Sequence, residues 1–490
     1  MISFNTIPAD VRVPGTYVEY DGAKAVGGPK IKSFKVLVIG QRLSTGSIAA
    51  LVPVTVTSVE QARTYFGAGS MLHGMAEKYF ANDREFDTVF IALDDAGAGT
   101  TAALTSAVSG TATAAGAVNL YIGGRRVTAA VASGDSANTV AQSVRDAVNA
   151  YEGMPVVASG PSGSVVLTAR NKGAFANEID VRLNVNPGEA LPAGIAMSAI
   201  PGTLSSGATN PTIGSTLWSA IGGEQYDVIV LPYTDATNLT AVDTELASRW
   251  GPIRQIDGLA ISAKRDSQAN LSTFGAAQNT KHIVVAGQNG ALTPPYETAA
   301  ALAALVGFHA RNDPARPFRT LRLFGVAAPT PKDRFTFVER ELLLRDGVST
   351  LTYGPGGEAY IERLITMYQV NGAGAPDTAF LDAQTLLTLS YLRWDLRRRF
   401  QTRYPRHKIA GDTIRLASGQ AIITPKVGRA EVVAAFQEWE ALGLVEDLEQ
   451  FKRDLVVEVS ATDPTRMDFL LPINLVNPLH VIAQKIEFRL

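Results

Sequence analysis

Phe34-Lys-Val-Leu-Val-Ile-Gly40 is a short apolar run closed by glycine. Runs of the same kind follow at Asp87-Thr-Val-Phe-Ile-Ala-Leu93, Tyr226-Asp-Val-Ile-Val-Leu231 and His282-Ile-Val-Val-Ala286. A strand that is apolar at successive positions, and not at alternate ones, has both faces covered, which is the situation of a parallel sheet between helices. The spaces between the runs are helical in pattern. Ser58 with Gln61 predicts a capped helix through Phe66, and a second helix is predicted over 71–81. Further on, helices are predicted over 235–250, 266–274 and 295–311, and strands over 258–263 and 319–324. Strand and helix alternate, so the expected fold is an α/β core with a mainly parallel sheet and flanking helices.

Between the second and third runs the composition changes. From Ala96 to Gly116 the chain is almost wholly Ala, Gly, Thr and Ser, and residues 187–212 are rich in Pro, Gly, Ala and Ser. Read as flexible linkers, these flank a module of strands 118–122 and 125–131 around a Gly123-Gly124 turn, a helix over 136–150, and strands near 156, 165–169 and 179–185. An inserted α+β surface domain over 96–212 would then split the core into 34–95 and 213–372. Past the core, one long helix is predicted over 377–404 and another over 428–442, followed by strands at 455–460, 467–472 and 479–490. This gives an α+β C-terminal domain over 373–478 and a terminal strand or arm over 479–490. In that last segment Val481, Ala483, Lys485, Glu487 and Arg489 alternate with Ile482, Gln484, Ile486, Phe488 and Leu490. Such a strand can close its own domain or add an edge to another chain's sheet. Residues 1–33 carry Pro8, Pro14, Gly15, Gly22, Gly27, Gly28 and Pro29, a density that favours an extended arm, wrapped on its own fold or paired with a neighbour.

The 490 residues exceed one compact core and suggest two to four domains. A net charge of −2 offers no global field for nucleic acid or an acidic membrane, and zero cysteines exclude disulfides, thiol nucleophiles and thiolate metal sites. No run of about eighteen apolar residues occurs, so no membrane span is predicted. The opening residues lack a basic and then apolar leader, which predicts synthesis and folding in a cytoplasm. With 46% hydrophobic and 18% charged residues, composition fits a self-assembling protein and an ordinary large enzyme alike.

Catalytic constellations are not found. There is no His-Glu-x-x-His, EF-hand loop, P-loop or Gly-x-Ser-x-Gly elbow, and the five histidines are scattered without ligand spacing. Gly97-Ala-Gly99-Thr-Thr-Ala102 mimics a dinucleotide fingerprint, but the acidic residue required about twenty positions on is missing. No cofactor or metal is therefore predicted. The most charged feature is Arg393-Trp-Asp-Leu-Arg-Arg-Arg-Phe-Gln-Thr-Arg-Tyr-Pro-Arg-His-Lys408. It suits either a solvated helix end matched to the helix dipole or a basic surface for a protein partner.

Ile7-Pro-Ala-Asp-Val-Arg-Val-Pro-Gly-Thr-Tyr-Val-Glu-Tyr20 resembles the opening of contractile phage tail sheath proteins, with Thr16 in place of a usual valine, and is especially similar to the Mu-like sheaths. The order of parts, from arm through core, insertion and C-terminal domain to terminal strand, matches that family across essentially the whole chain. The resemblance implies a subtilisin-like core fold without proteolysis, since no matching Asp, His and Ser motifs are present. It further implies hexameric rings stacked in a helical lattice around a tail tube, in a virion tail assembled in the host cytoplasm. Implied partners are copies of itself, the tail tube protein, and baseplate and tail terminator proteins, with no nucleic acid and no membrane. By the same resemblance, Val11, Val13, Tyr17, Val18, Glu19, Ile482, Ile486 and Phe488 would serve strand exchange between subunits, and Gly22, Gly27 and Gly28 would be hinges. Arg393, Arg397, Arg398, Arg399 and Arg403 would face the tube. A cytoplasmic α/β enzyme of unknown substrate and the sheath of a non-viral contractile injection system are the alternative readings.

Overall fold

The computed structural model describes residues 32–83, 88–415 and 419–489, and Phe34–Leu490 form one contact unit. Its first part holds strands β1 (Val36–Gln41) and β2 (Val54–Val56), helices α1 (Val59–Phe66) and α2 (Met71–Asn82), and strand β3 (Thr88–Leu93). All six residues of β1 are buried, as an apolar run without alternation requires. Ser58 Oγ accepts from the Gln61 N–H at the start of α1, while the Gln61 side chain accepts from the Thr57 N–H, one residue upstream of a standard capping box.

The inserted segment is more ordered than its composition suggests. It forms β4 (Ala103–Gly110), β5 (Gly116–Ile122), β6 (Arg125–Val131), α3 (Ala137–Ala150), β7 (Val156–Ser159), β8 (Ser164–Ala169), β9 (Asp180–Leu183), β10 (Ile195–Met197) and β11 (Gly202–Thr203). Two four-stranded sheets result, ordered β10-β4-β8-β7 and β11-β9-β5-β6. The supposed linkers therefore contain β4, β10 and β11. Along β4 the residues Leu104, Ser106 and Val108 point inward and Thr105, Ala107 and Ser109 outward, a strand alternation disguised by small side chains. Gly123 and Gly124 both take positive φ in the turn joining β5 to β6, where a side chain would strain the backbone.

The core resumes with α4 (Ser215–Ile221), β12 (Val228–Val230), α5 (Ala236–Trp250), β13 (Leu259–Arg265), α6 (Gln268–Ala276), β14 (Ile283–Gln288) and α7 (Pro295–Asn312). It ends with β15 (Arg322–Ala327), α8 (Phe337–Arg345), β16 (Thr350–Tyr353) and β17 (Glu358–Arg363). The large sheet has the order β14-β13-β12-β1-β3-β2; every pairing is parallel except that of the short edge strand β2 with β3. A bridge from Ala286 to Ser349 continues it towards the antiparallel sheet β15-β17-β16. Helix α7 is buried at every residue from Pro295 to Gly307, because it packs between the sheet, α2 and β15. Its run of alanines lets α2 come close: a Cβ on Gly74 of α2 would lie 2.6 Å from Glu297 Oε1.

One hydrophobic cluster runs through the large sheet and both sheets of the insertion, so the insertion shares the core. Buried charges reinforce the junction. Arg125 of β6 meets Glu297 of α7 at 2.8 Å and Glu77 of α2 at 2.5 Å, and Arg265 of β13 meets Asp180 of β9 at 2.7 Å.

The C-terminal part comprises α9 (Ala383–Arg403), β18 (Lys408–Ile409), β19 (Ile422–Ile423), α10 (Pro425–Ala441), β20 (Val445–Glu446), α11 (Leu448–Asp454), β21 (Val456–Val459), β22 (Met467–Leu470) and β23 (Asn474–Leu475). It has a second, smaller apolar core of Leu392, Val432, Ala435, Phe436, Trp439, Phe451 and Leu455. Helix α9 starts six residues later than the predicted Asp377, since Asp377 accepts the Tyr368 hydroxyl at 2.6 Å and a bridge joins Ile365 to Asp382. No helix among the described residues is long and apolar enough to cross a membrane.

The close packing of α7 leads to a prediction. Ala303→Leu, at a fully buried position of that helix, is expected to cost about 1–3 kcal/mol through overpacking. Urea denaturation followed by tryptophan fluorescence would show it as a lower midpoint.

Candidate assembly surfaces

An open α/β sheet holds ligands beyond the carboxyl ends of its strands, where the strand order reverses. Here that place lies between β1 and β12, and the protein fills it. Gln41, the last residue of β1, is fully buried; it accepts the Tyr233 hydroxyl at 2.9 Å and donates to Asp95 at 2.6 Å and to the Lys172 carbonyl at 2.8 Å. Asn171 donates to Asp95 and to the Arg42 carbonyl, and Phe175 packs on Tyr233 and Tyr296. Lys172 and its neighbours belong to the insertion, so the crevice is plugged by its own satisfied polar network. The Gly97–Ala102 stretch leads into strand β4 and not into the helix a dinucleotide site needs. Among the described residues no group of three or more His, Cys, Asp and Glu side chains could hold a metal ion. His282 is buried against Trp250, and burial, helped by nearby Lys281, pushes its imidazole down to about 4.

The end of the chain behaves in the opposite way. Residues 476–489 form no helix and no strand ladder within the chain, so the terminal strand predicted over 479–490 has no partner among the described residues. Ile482, Ile486 and Phe488 are 71%, 85% and 80% exposed, and Leu479 and Val481 are exposed as well. Side chains of this size are usually withdrawn from water, so the arm leaves several kcal/mol of burial unrealised, at about 1.5–3 kcal/mol each. Its root is fastened: Arg319 donates to the His480 carbonyl at 2.7 Å, and His480 Nε2 lies 3.2 Å from Asp382. Burial would raise the Asp382 carboxyl, but hydrogen bonds from His480 and Arg363 outweigh it and hold the group below the usual carboxylate range.

Among the described residues, strands β21 and β22 pair only with each other, over four residues apiece. A two-stranded ribbon is marginal in water, and among the described residues nothing pairs with either outer edge of this one. Val456 and Leu470, paired at its open end, are exposed.

The arginine-rich stretch of α9 proves to be mostly internal wiring. Asp395 is buried and accepts from Arg399 Nε at 2.7 Å, from Arg398 at 3.0 Å and from Trp439 Nε1 at 2.9 Å. Arg399 also pairs with Glu438, while Arg403 bonds both oxygens of Glu431 at 2.6 and 2.7 Å. Arg393 reaches Asp257 at 2.6 Å and lies over the Trp250 ring, which ties α9 to the core. Beside it opens a cleft of about 340 Å³ lined by Gln255, Asp257, Arg393, Trp394, Arg397 and Arg398.

Residues 206–367 match the phage tail sheath protein central domain, and residues 375–489 match the phage tail sheath C-terminal domain. The chain is 41% identical over 487 residues to the Mu-like prophage FluMu tail sheath protein of Haemophilus influenzae, covering 99% of each. The chain belongs to the phage tail sheath family. It is a structural subunit of a contractile tail sheath. Solved sheath tail proteins are distant in comparison. That of Desulfitobacterium hafniense is 13% identical, with 94% of this chain and 99% of that one covered and a TM-score of 0.47. That of Listeria innocua is 15% identical, with 91% and 92% covered and a TM-score of 0.48.

For a sheath subunit, the structure sorts the expected site residues into three groups. Ile482, Ile486 and Phe488 stand exposed on the arm. Val11, Val13, Tyr17, Val18, Glu19 and the glycines 22, 27 and 28 lie outside the described residues. Of the arginines, Arg399 cannot face a tube: its side chain is 1% exposed and committed to carboxylates within its own domain. Arg393 is likewise committed to Asp257, and Arg403 to Glu431, although half of the Arg403 side chain is exposed. Sequence reasoning missed the acidic partners Asp257, Glu431 and Glu438, which arrive from distant segments; only Asp395–Arg399, at i and i+4 on one helix, was readable.

Arg399→Ala would remove one of the three donors to the buried Asp395, leaving Arg398 and Trp439, and is expected to cost about 1.5–3 kcal/mol. Arg397→Glu, on the surface, should leave the unfolding midpoint unchanged. Urea titrations of the two variants, followed through circular dichroism, would separate the internal arginine from the external one.

Proposed function

We propose that this sheath subunit polymerises as stacked hexameric rings in a helical lattice around a tail tube, held by strand exchange, and that contraction of the lattice drives the tube through the host envelope. The observation that carries this reading is the pairing of two incomplete elements on one chain. The arm offers alternating apolar side chains with no ladder of its own, and β21–β22 offers a sheet too small to be satisfied. Arm residues Ile482, Ile486 and Phe488 of one copy would lie on one face of a strand added to β21–β22 of another. Burying these three side chains contributes about 1.5–3 kcal/mol apiece, and a third or fourth strand lifts the ribbon above marginal stability. Val11, Val13, Tyr17, Val18 and Glu19 of the N-terminal segment would add a strand in the same way.

Strand addition suits a lattice that must change shape. Main-chain hydrogen bonds fix the arm to its acceptor whatever the orientation of the body behind it, so bodies can rotate while the network persists. Gly22, Gly27 and Gly28 would serve as hinges in the N-terminal arm. Within the body, residues 34–95 and 213–372 would form a core of subtilisin-like kind, 96–212 the outward insertion and 373–478 the tube-facing domain. Arg397 and Arg398, beside the cleft on α9, would be the charges offered to the tube. Baseplate and terminator proteins would close the two ends of the lattice, in a virion tail assembled in host cytoplasm, with no catalytic step, cofactor, nucleic acid or membrane.

Deleting residues 481–490 tests this reading and leaves the fastened root at His480 in place. The variant is expected to remain folded by circular dichroism and to form no hollow cylinders in negative-stain electron microscopy, at concentrations where the full chain does. Cylinders of normal number and length from the variant would overturn strand exchange by the C-terminal arm.

A further inference from the structure

A protein that joins its copies by adding strands has a specificity problem, because any open sheet edge accepts a strand through the same main-chain hydrogen bonds. Besides β21–β22, two edge strands among the described residues carry an exposed large apolar side chain: β7 carries Val157 and β15 carries Phe324. Each is blocked in the same manner. On the outer side of β7 the Ala158 N–H donates to Asn149 Oδ1 at 2.9 Å, and Asn149 Nδ2 donates to the Ala158 carbonyl at 2.8 Å. On the outer side of β15 the Phe324 N–H donates to Asn82 Oδ1 at 2.8 Å, and Asn82 Nδ2 donates to the Phe324 carbonyl at 2.9 Å. A side-chain carboxamide carries the same donor and acceptor as a peptide group, so each asparagine supplies one complete rung of a ladder and then ends it.

The placement of the two residues is alike. Asn82 is the last residue of α2 and Asn149 the last but one of α3, where a helix packed beside a sheet can turn a short amide onto the edge. At the helix C-terminus Asn82 Nδ2 also donates to the Lys78 carbonyl at 2.7 Å, so the same amide ends the helix and the sheet edge. Thr293 adds a further block on β15, accepting from the Ala327 N–H at 2.9 Å. Other edges are protected by other means: β2 and β10 are three residues long and β11 two, and β6 begins with Arg125 directed inward to Glu297 and with the charged Arg126. In contrast, among the described residues no side chain bonds the main chain of 456–459 or 467–470.

We infer that Asn82 and Asn149 are specificity-determining edge caps, which bar the arm of a second copy from β15 and β7 and leave β21–β22 as its acceptor. The inference rests on the strand-exchange reading above. Its test uses the full chain carrying Asn82→Ala and Asn149→Ala together, polymerised beside the unaltered protein. The pelleted material is scored by electron microscopy for cylinders and irregular aggregate, and by thioflavin binding. The uncapped variant is expected to yield several-fold more irregular, thioflavin-positive aggregate. That excess should disappear when Val157→Lys and Phe324→Lys are added, because an edge lysine blocks pairing without restoring the carboxamide. It should also disappear when residues 481–490 are deleted.

An aggregate fraction equal to that of the unaltered chain would overturn the inference. So would an excess that survives the lysines, which would mark general unfolding, or one that survives loss of the arm. Failure of the strand-exchange reading shows separately, as normal cylinders from the otherwise unaltered chain lacking 481–490.

Discussion

Main-chain hydrogen bonds at the edges of sheets govern how this subunit is built. A strand inside a sheet satisfies its N–H and carbonyl groups on both sides, but an edge strand must find another partner or remain open. The large parallel sheet ends on one side in the three-residue β2 and is continued on the other through Ser349 towards β16, β17 and β15. That extension stops at the carboxamide of Asn82, and one sheet of the insertion stops at that of Asn149. Among the described residues, β21–β22 near the C-terminus keeps an edge without such a stop, and the segment after it forms no ladder.

The same economy explains how an α/β core serves a structural role. The crevice at the reversal of strand order, where this class of fold places its ligands, contains Gln41, Asp95, Asn171, Lys172 and Tyr233 bonded to one another. The insertion supplies two of these residues, and its arginine and aspartate partners meet core residues in buried pairs. Core and insertion thus share one hydrophobic cluster and present a stiff body to the arms.

Within the C-terminal part, charge serves cohesion before it serves recognition. Five arginines on one helix look like a basic face, yet Asp395, Glu431, Glu438 and Asp257 absorb most of that charge. Asp395 together with Trp439 and Arg399 stitches α9 to α10 beside a core of modest size. Arg397 and Arg398 border the cleft, and half of the Arg403 side chain also faces outward.

The sequence alone determined the elements whose cause is local. Strands buried on both faces advertise themselves as apolar runs, so β1, β3, β12 and β14 were legible, as were the cap Ser58 and the Gly123-Gly124 turn. The exposed alternation of the arm was legible for the same reason, since it is a property of neighbouring residues. Tertiary structure decided whatever depends on a partner far along the chain. It turned an Ala, Thr and Gly stretch into β4, because a sheet was waiting for Leu104 and Val108. It delayed α9 to Ala383 through contacts with Tyr368 and Ile365, and it buried Arg399 by bringing up Glu438. It also set two asparagines, unremarkable in the sequence, against the edges of strands that lie beside their helices only in the folded chain. A hydrogen bond between distant segments leaves no periodicity behind, and only the assembled fold reveals it.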